Sequence, residues 1–191
     1  MAIKLTKSPA MIFSKKLAGI AMIQLIQKDL EKLNSLCDDE VIKLSSKNNY
    51  LYQSYIIHLA ASWQEFNKQL VKYCFTALEK NSSSIAMNEI ARGRVSELLK
   101  KFNTPNAENI NSLYKNAFGI LGVSKVWFFD GVSNRTALDT LENLLKTRHE
   151  IAHVGVSIDE LNYKNNFESM ELIYKIACAT ENHVFTSLGI S

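Results

Sequence analysis

The chain has 191 residues, of which 47% are hydrophobic and 21% are charged. This balance fits one globular domain with a sizeable core, and it excludes a disordered chain. The net charge of +3, without a block of like charges, is compatible with a polyanionic partner but does not require one. Because glycine occurs only 7 times and proline only 2 times, long helices are favoured over a turn-rich β fold.

Cysteine usage and the N-terminal region bear on the cellular compartment. Cys37, Cys74 and Cys178 are far apart and lack Cys-x-x-Cys spacing. We therefore expect neither a disulfide framework nor a cysteine zinc site, but a cytoplasmic protein. The apolar run 17–23 follows two lysines, as in a signal peptide, but no small-residue cleavage site follows it. Polar residues interrupt this run well before the roughly 18 apolar residues that a membrane span needs, so we expect an amphipathic helix instead.

Apolar residues at steps of three and four predict that the first half of the chain is helical. The predicted helices cover residues 14–36, 48–79 and 85–102. Polar stretches, including Asp38-Asp39 and residues 81–84, separate them. Lysines at the end of the third segment suit the C-terminal end of a helix.

The second half of the chain continues the pattern. Thr104-Pro105 predicts an N-cap followed by a first-turn proline, which opens a short helix over residues 105–118. A glycine-containing loop with several aromatic residues follows. The fifth helix is expected from residue 133 or 134 to about 153, and Gly155 ends it. A capping box at residues 157–160 predicts a last helix that reaches about residue 188. The sequence therefore predicts one all-α domain over residues 1–191, a bundle of about five to seven helices.

The fifth predicted helix carries an arginine at an unusual position. Its apolar positions recur at steps of three and four, and Arg148 falls in this series between Leu145 and Ala152; the series is Leu138, Leu141, Leu145, Arg148 and Ala152. A cation in an apolar stripe needs a polar partner or an interface. The ordinary explanation is an arginine whose stem packs on apolar neighbours while its head reaches solvent.

Two histidines follow on the same helix. His149 and His153 are one turn apart, so they share one helix face. Histidine titrates near neutral pH, which suits general acid–base catalysis. The common explanation of a single such residue is a surface histidine without a function.

The segment 148–153 contains two competing motifs, Arg-x4-His and His-Glu-x-x-His. The second is the zinc-peptidase signature, in which both histidines bind the metal. Zinc would need a third ligand, for which Glu168 and Glu171 are candidates. Zinc peptidases of this class are similar to one another in pairing the motif helix with a β-sheet. Since no credible sheet is predicted, we expect neither a metal nor another cofactor.

With its flanks, this segment resembles HEPN-domain proteins of the RiboL-PSP type. The stretch Arg148-His-Glu-Ile-Ala-His153 is similar to the end of that family's late helix, with His149 in place of the commoner asparagine. Trp63-Gln-Glu-Phe66 is similar to its early helix, which carries an aromatic residue and a glutamate. Phe102-Asn-Thr-Pro-Asn106 and residues 117–122 resemble the region of its short helix. The likeness spans about residues 50–185.

The resemblance implies a compact helical bundle that cuts RNA without a metal. Arg148 would bind the scissile phosphate and stabilise its charge. His153 would act as general base or acid, and His149 would orient the site or share the proton transfer. The products would be a 2′,3′-cyclic phosphate and a 5′-hydroxyl. The resemblance also implies a toxin or effector in prokaryotic antiviral defence, restrained by an inhibitory or sensor partner protein.

Helix geometry bears on the oligomeric state. Five residues rotate a helix by about 500°, which leaves Arg148 and His153 about 140° apart. Either the helix is distorted near His153, or two copies face each other across a two-fold axis. The family resembles the second arrangement, so we expect a homodimer. Two alternatives stay open: a non-catalytic HEPN-like module that binds RNA or a protein, and a zinc peptidase.

Overall fold

The computed structural model describes residues 7–36, 44–80, 84–155, 157 and 161–190. Within these ranges the chain forms six α-helices, one 3-10 helix and no β-strand. The α-helices are α1 (Pro9–Ser35), α2 (Leu44–Lys80), α3 (Ile85–Lys101), α4 (Ala107–Phe118), α5 (Asn134–Val154) and α6 (Tyr163–Leu188). The 3-10 helix, Val123–Val126, lies between α4 and α5. The all-α fold class predicted from the sequence is therefore confirmed.

Helix starts are where the sequence and the structure differ most. Thr104 does not cap α4: the side chain of Asn106 accepts a hydrogen bond from the backbone N–H of Asn109 at 2.8 Å, and Pro105 lies outside the helix. Asparagine is at least as good an N-cap as threonine, so α4 starts two residues later than predicted, with Asn106 as its N-cap in place of Thr104. The described part of the last helix begins at Tyr163 with Asn162 as its N-cap. Most of the capping box at 157–160 lies outside the described residues.

The long helix α2 lies at the centre of the bundle and packs against α1, α5 and α6. Its Trp63 is fully buried. The indole stacks on Phe66 at 5.5 Å between ring centroids and meets Trp127 edge-on at 6.2 Å. Phe13 of α1 completes this aromatic cluster at 6.4 Å from Trp63. Aromatic rings bury large areas of apolar surface. The cluster therefore holds α2 against α1 and against the segment that contains Trp127.

The first helix passes the length and composition test for a membrane span. An 18-residue window of α1 has a mean hydropathy of 1.3, although the sequence predicted no span. In the structure α1 packs against α2 and α6 through a buried face. That face includes two glutamines, Gln24 and Gln27, and Gln27 donates a hydrogen bond to Tyr52 of α2. These contacts join one side of α1 to the bundle, while only 33% of the 18-residue window is buried.

The two described cysteines are not exposed nucleophiles. Cys74 is buried, and burial raises the pKa of its thiol to about 12. Cys178 is half-buried, and burial also raises the pKa of its thiol. Since the thiolate is the reactive form, neither thiol is activated at neutral pH. Cys37 lies outside the described residues.

Candidate active site

Two caps fix the ends of α5, the helix that carries Arg148, His149 and His153. At its start, the Ser133 hydroxyl accepts a hydrogen bond of 3.1 Å from the backbone N–H of Thr136. At its end, Gly155 adopts φ +81° and donates its N–H to the carbonyl of Ile151 at 3.0 Å. Glycine adopts this left-handed conformation without steric cost, so the helix stops at Val154, one residue after His153.

The buried face of α5 differs from the apolar stripe expected from the sequence. Its buried residues are Ala137, Leu141, Leu144 and Ile151, while Arg148 and Ala152 are exposed. Arg148 nevertheless continues the buried series at steps of four and three, between Leu144 and Ile151, although its side chain is exposed. Leu138 and Leu145 are only half-buried because they lie at the edge of the contact face. The guanidinium of Arg148 is consequently presented to solvent, where a ligand or a second chain can reach it.

His149 and His153 contact each other on one face of α5, as their spacing predicts. Their ring centroids are 4.2 Å apart, and the planes are tilted by 49°. Both side chains are exposed. Two imidazoles thus lie side by side on the surface, and imidazole is the side chain most often used in general acid–base catalysis.

A small cleft of about 80 Å³ lies beside α5. Three elements line it: α2, the connection from α3 to α4, and α5. The lining residues are Ala60, Ala61, Gln64, Asn103, Thr104, Pro105, Leu145, Arg148 and His149. His153 lies one turn further along α5, outside this lining. Arg148 and His149 therefore line the cleft directly. His153 does not line it but contacts His149, which does.

Hydrogen bonds from α2 hold the loop that forms one wall of this cleft. The indole nitrogen of Trp63 donates to the carbonyl of Pro105 at 2.9 Å. The side-chain amide of Gln64 donates to the carbonyl of Phe102 at 3.0 Å. On the α4 side, the amide of Asn109 donates to the carbonyl of Thr104 at 2.8 Å. The wall is thus tied at three positions to two helices, which makes it a fixed surface opposite Arg148.

The polar groups of the cleft suit an anion. Arg148 supplies a guanidinium, and Gln64, Asn103 and Thr104 supply amide and hydroxyl groups; none of the nine lining residues carries a carboxylate. On α5, Lys146 and Glu150, which lie two residues before and two residues after Arg148, form an ion pair at 4.0 Å. A guanidinium matches the geometry of two phosphate oxygens and stays charged at all physiological pH values. This donor set therefore suits an anion such as a phosphate or a carboxylate.

Sequence reasoning missed three residues of this cleft: Gln64, Asn103 and Thr104. All three lie in the stretches Trp63-Gln-Glu-Phe66 and Phe102-Asn-Thr-Pro-Asn106, whose resemblance to a family does not indicate which side chains face a cleft. Gln64, the residue between the aromatic residue and the glutamate, faces the cleft. Glu65 instead accepts a hydrogen bond from Gln69 and lines a separate groove between α2 and α3. Which of two neighbouring side chains faces a cleft depends on helix packing that the motif does not encode.

A zinc site at the two histidines lacks a third ligand in the part of the chain that the structure describes. There, no group of three histidine, cysteine, aspartate or glutamate side chains is arranged to hold a metal ion. Glu168, one of the two expected third ligands, lies on the exposed surface of α6 at 3.8 Å from Lys164. Glu171 is also exposed on that helix. Asp159 and Glu160 lie outside the described residues.

Comparison with known proteins assigns the chain to a family. Residues 23–183 match the RiboL-PSP-HEPN family, which is most of the 191-residue chain. No curated protein and no solved structure matches the chain. HEPN domains are often ribonucleases. The match covers the aromatic core on α2, the wall of the cleft and the complete α5 segment with Arg148, His149 and His153, so the chain belongs to the RiboL-PSP-HEPN family.

Proposed function

We propose that this protein is a metal-independent endoribonuclease whose active site is built on Arg148, His149 and His153. The observation that carries the proposal is the cleft itself: a guanidinium and neutral hydrogen-bond donors, with no carboxylate among the lining residues, lie next to a pair of touching imidazoles. An RNA phosphodiester has the matching chemistry, because it presents a negative phosphate beside a 2′-hydroxyl that must lose a proton. Family membership supports the same reaction class.

The reaction assigns one task to each side chain. Arg148 binds the two non-bridging oxygens of the scissile phosphate and stabilises the charge that builds on them. His153 accepts the proton of the 2′-hydroxyl, and the 2′-oxygen forms a bond to phosphorus. The bond from phosphorus to the 5′-oxygen breaks, and that oxygen takes a proton from an imidazolium. The products are a 2′,3′-cyclic phosphate and a 5′-hydroxyl, so the reaction needs neither water nor a metal.

A second copy of the chain completes the proposed site. On one α5 helix, Arg148 and His153 point about 140° apart. The exposed position of both side chains leaves them accessible to a partner. In a two-fold dimer, Arg148 of one chain would face His153 of the partner subunit, and each dimer would hold two such composite sites.

The first test is RNA cleavage in excess EDTA. Wild-type protein should cut a labelled structured RNA and leave cyclic-phosphate ends, whereas Arg148→Ala and His153→Ala should each lose at least about 100-fold in rate. Arg135→Ala is the matched control, because Arg135 is an exposed arginine on the same helix that pairs with nearby Asp139. Cleavage that requires added metal would contradict the proposal, and stoichiometric zinc in the purified protein would support the peptidase alternative.

Mixing the two inactive variants tests the composite site. A dimer of one Arg148→Ala chain and one His153→Ala chain keeps one site with both groups intact. Co-expression in equal amounts should therefore restore about a quarter of the wild-type activity, since half of the dimers are mixed and each has one of two sites. If both groups acted within one chain, every mixed dimer would stay inactive.

The proposed biological role is that of a cytoplasmic toxin or effector in prokaryotic defence, held in check by a partner protein. This role rests on family membership and on the reaction above. Expression of the wild-type chain should slow growth and degrade cellular RNA, and Arg148→Ala should do neither. Equal growth with both proteins would indicate a non-catalytic module that binds RNA or a protein.

A further inference from the structure

Helix α1 presents an apolar face to solvent. Ten residues at steps of three and four are all exposed on one side of the helix, opposite the buried side of Phe13, Leu17 and Ile20. The ten are Met11, Lys15, Ala18, Gly19, Met22, Leu25, Ile26, Asp29, Leu33 and Leu36. Several of them are about half-exposed, with Met22 at 54% and Leu33 at 53%. A surface helix normally turns charged and polar residues outward, so a face of this composition indicates a partner.

The residues of this face are arranged symmetrically about Met22. Its two charged members, Lys15 and Asp29, lie seven residues before and seven residues after Met22 and have opposite signs. The small Gly19 and the large Leu25 lie three residues to either side. Ala18 and Ile26 form a second small and large pair, four residues to either side.

We propose that this face binds a second copy of the same chain, with the two α1 helices antiparallel and the two-fold axis passing at Met22. In such a pair, positions equally far from the axis lie opposite each other. Lys15 then faces Asp29 of the partner subunit, about 10 Å from the axis, and the reverse pair forms on the other side. Leu25 and Ile26 then lie at the level of Gly19 and Ala18 of the partner subunit, so two large residues meet two small ones. Both charge and size are therefore complementary.

Gly19 is independent support for a second copy of the chain as the partner of this face. It lies in the middle of α1, where glycine is among the least favourable residues for a helix. A Cβ added at this position would meet no atom within 4 Å in its own chain. The packing of one chain thus gives no reason for a glycine, whereas a close-packed partner helix does, because only the smallest residues let two helices approach closely.

This surface differs from the active site proposed above. The face belongs to α1, while Arg148, His149 and His153 belong to α5; both helices pack against α2 and α6. The α1 pairing and the pairing that would complete the cleft are therefore separate contacts. If both form about two-fold axes that meet at a right angle, the assembly is a tetramer, and disruption of the α1 face should reduce its mass to one half.

Site-specific cross-linking tests the geometry. In a Cys37→Ser background, Met22→Cys places one thiol of each chain next to the axis, so mild oxidation should give a covalent dimer in high yield. Lys16→Cys is the matched control, because Lys16 is exposed on the same helix outside this face. It should stay monomeric on denaturing gels. Equal cross-linking of both variants, or none with Met22→Cys, would overturn the proposal whatever the nuclease assay shows.

Charge reversal tests the complementarity. Lys15→Asp and Asp29→Lys should each weaken self-association at least about 10-fold in analytical ultracentrifugation, and the double exchange should restore it. Gly19→Leu should block the pairing, and the open space around Gly19 allows each single chain to fold. A double exchange that fails to restore association would overturn the antiparallel arrangement. If the wild-type chain, without cross-linking, binds phosphatidylcholine vesicles, the proposal is overturned and the α1 face binds a membrane surface instead.

Discussion

The indole nitrogen of Trp63 donates a hydrogen bond of 2.9 Å to the backbone carbonyl of Pro105. Both residues are buried, and the bond joins the centre of the bundle to the loop that forms one wall of the cleft. The neighbouring bond from Gln64 to the carbonyl of Phe102 holds the start of the same loop. Through these two bonds, a helix that carries no catalytic candidate determines the shape of the surface that faces Arg148.

Trp63→Phe should lower both stability and RNA cleavage. The phenyl ring keeps an aromatic group in the cluster, but the carbonyl of Pro105 loses its donor, which costs about 1–3 kcal/mol. A looser loop should reduce cleavage at least about 10-fold, because small displacements of binding groups are expensive in catalysis. Urea unfolding and initial cleavage rates measure the two effects.

Trp127→Phe is the matched control for that experiment. Trp127 is also fully buried, and its indole donates a hydrogen bond of 2.9 Å to the hydroxyl of Thr180, on the α6 side of the core. A similar loss of stability is expected, with cleavage by the folded protein nearly unchanged. If both variants lose cleavage in proportion to stability, the bond to Pro105 has no specific role in the cleft.

Arg148→Lys should lose most of the cleavage activity although it keeps the positive charge. A lysine offers a single ammonium group, whereas the guanidinium donates two parallel hydrogen bonds to a phosphate. We expect a loss of at least about 10-fold in kcat/KM and no change in unfolding free energy, since Arg148 is exposed. Arg135→Lys on the same helix should have wild-type kinetics. Full activity of Arg148→Lys would mean that only the charge at this position matters.

The sequence predicted the helical architecture and the ends of α5 better than it predicted packing. Ser133 and Gly155 cap α5 where expected, because caps depend on local backbone groups that the sequence displays directly. The buried face of α5 is rotated from the predicted one: Ala137, Leu144 and Ile151 are buried in place of Leu138, Leu145 and Ala152, since the contact with α2 and α6 selects the face. The sequence did not indicate Gln64 for the same reason. Its place in the cleft depends on its hydrogen bond to a loop that is distant in sequence.

Gly155→Ala should lower activity more than stability alone would explain. Gly155 has φ +81°, and a Cβ added there would meet no atom within 4 Å, so alanine costs about 1–2 kcal/mol through backbone strain alone. The strain falls two residues after His153 and should displace its imidazole. Gly189→Ala is the matched control, because Gly189 forms the same left-handed cap at the end of α6, with φ +63° and open space. Comparable melting temperatures with cleavage reduced only by Gly155→Ala would support this; equal activities would contradict it.

Tyr114 should make the protein sensitive to alkaline pH. Its ring is fully buried, and its hydroxyl donates a hydrogen bond of 3.1 Å to the side-chain oxygen of Asn67. Burial raises the pKa of this hydroxyl well above its ordinary value of 10.0. Above about pH 10 the unfolded chain releases this proton while the folded chain retains it, so the unfolding free energy falls as pH rises toward the folded pKa. The slope for one such group approaches about 1.4 kcal/mol per pH unit.

Tyr114→Phe separates the two contributions of this hydroxyl. At about pH 7 the variant should be about 1–3 kcal/mol less stable, because the buried oxygen of Asn67 loses its donor. Between about pH 9.5 and about 11 its unfolding free energy should fall less steeply than that of the wild type, since the ionisable group is gone. Tyr50→Phe, at a position that is 70% exposed, should leave both the stability and the slope unchanged. Urea unfolding at a series of pH values measures this, and parallel curves for wild type and Tyr114→Phe would show that Tyr114 ionises as readily in the folded chain as in the unfolded one.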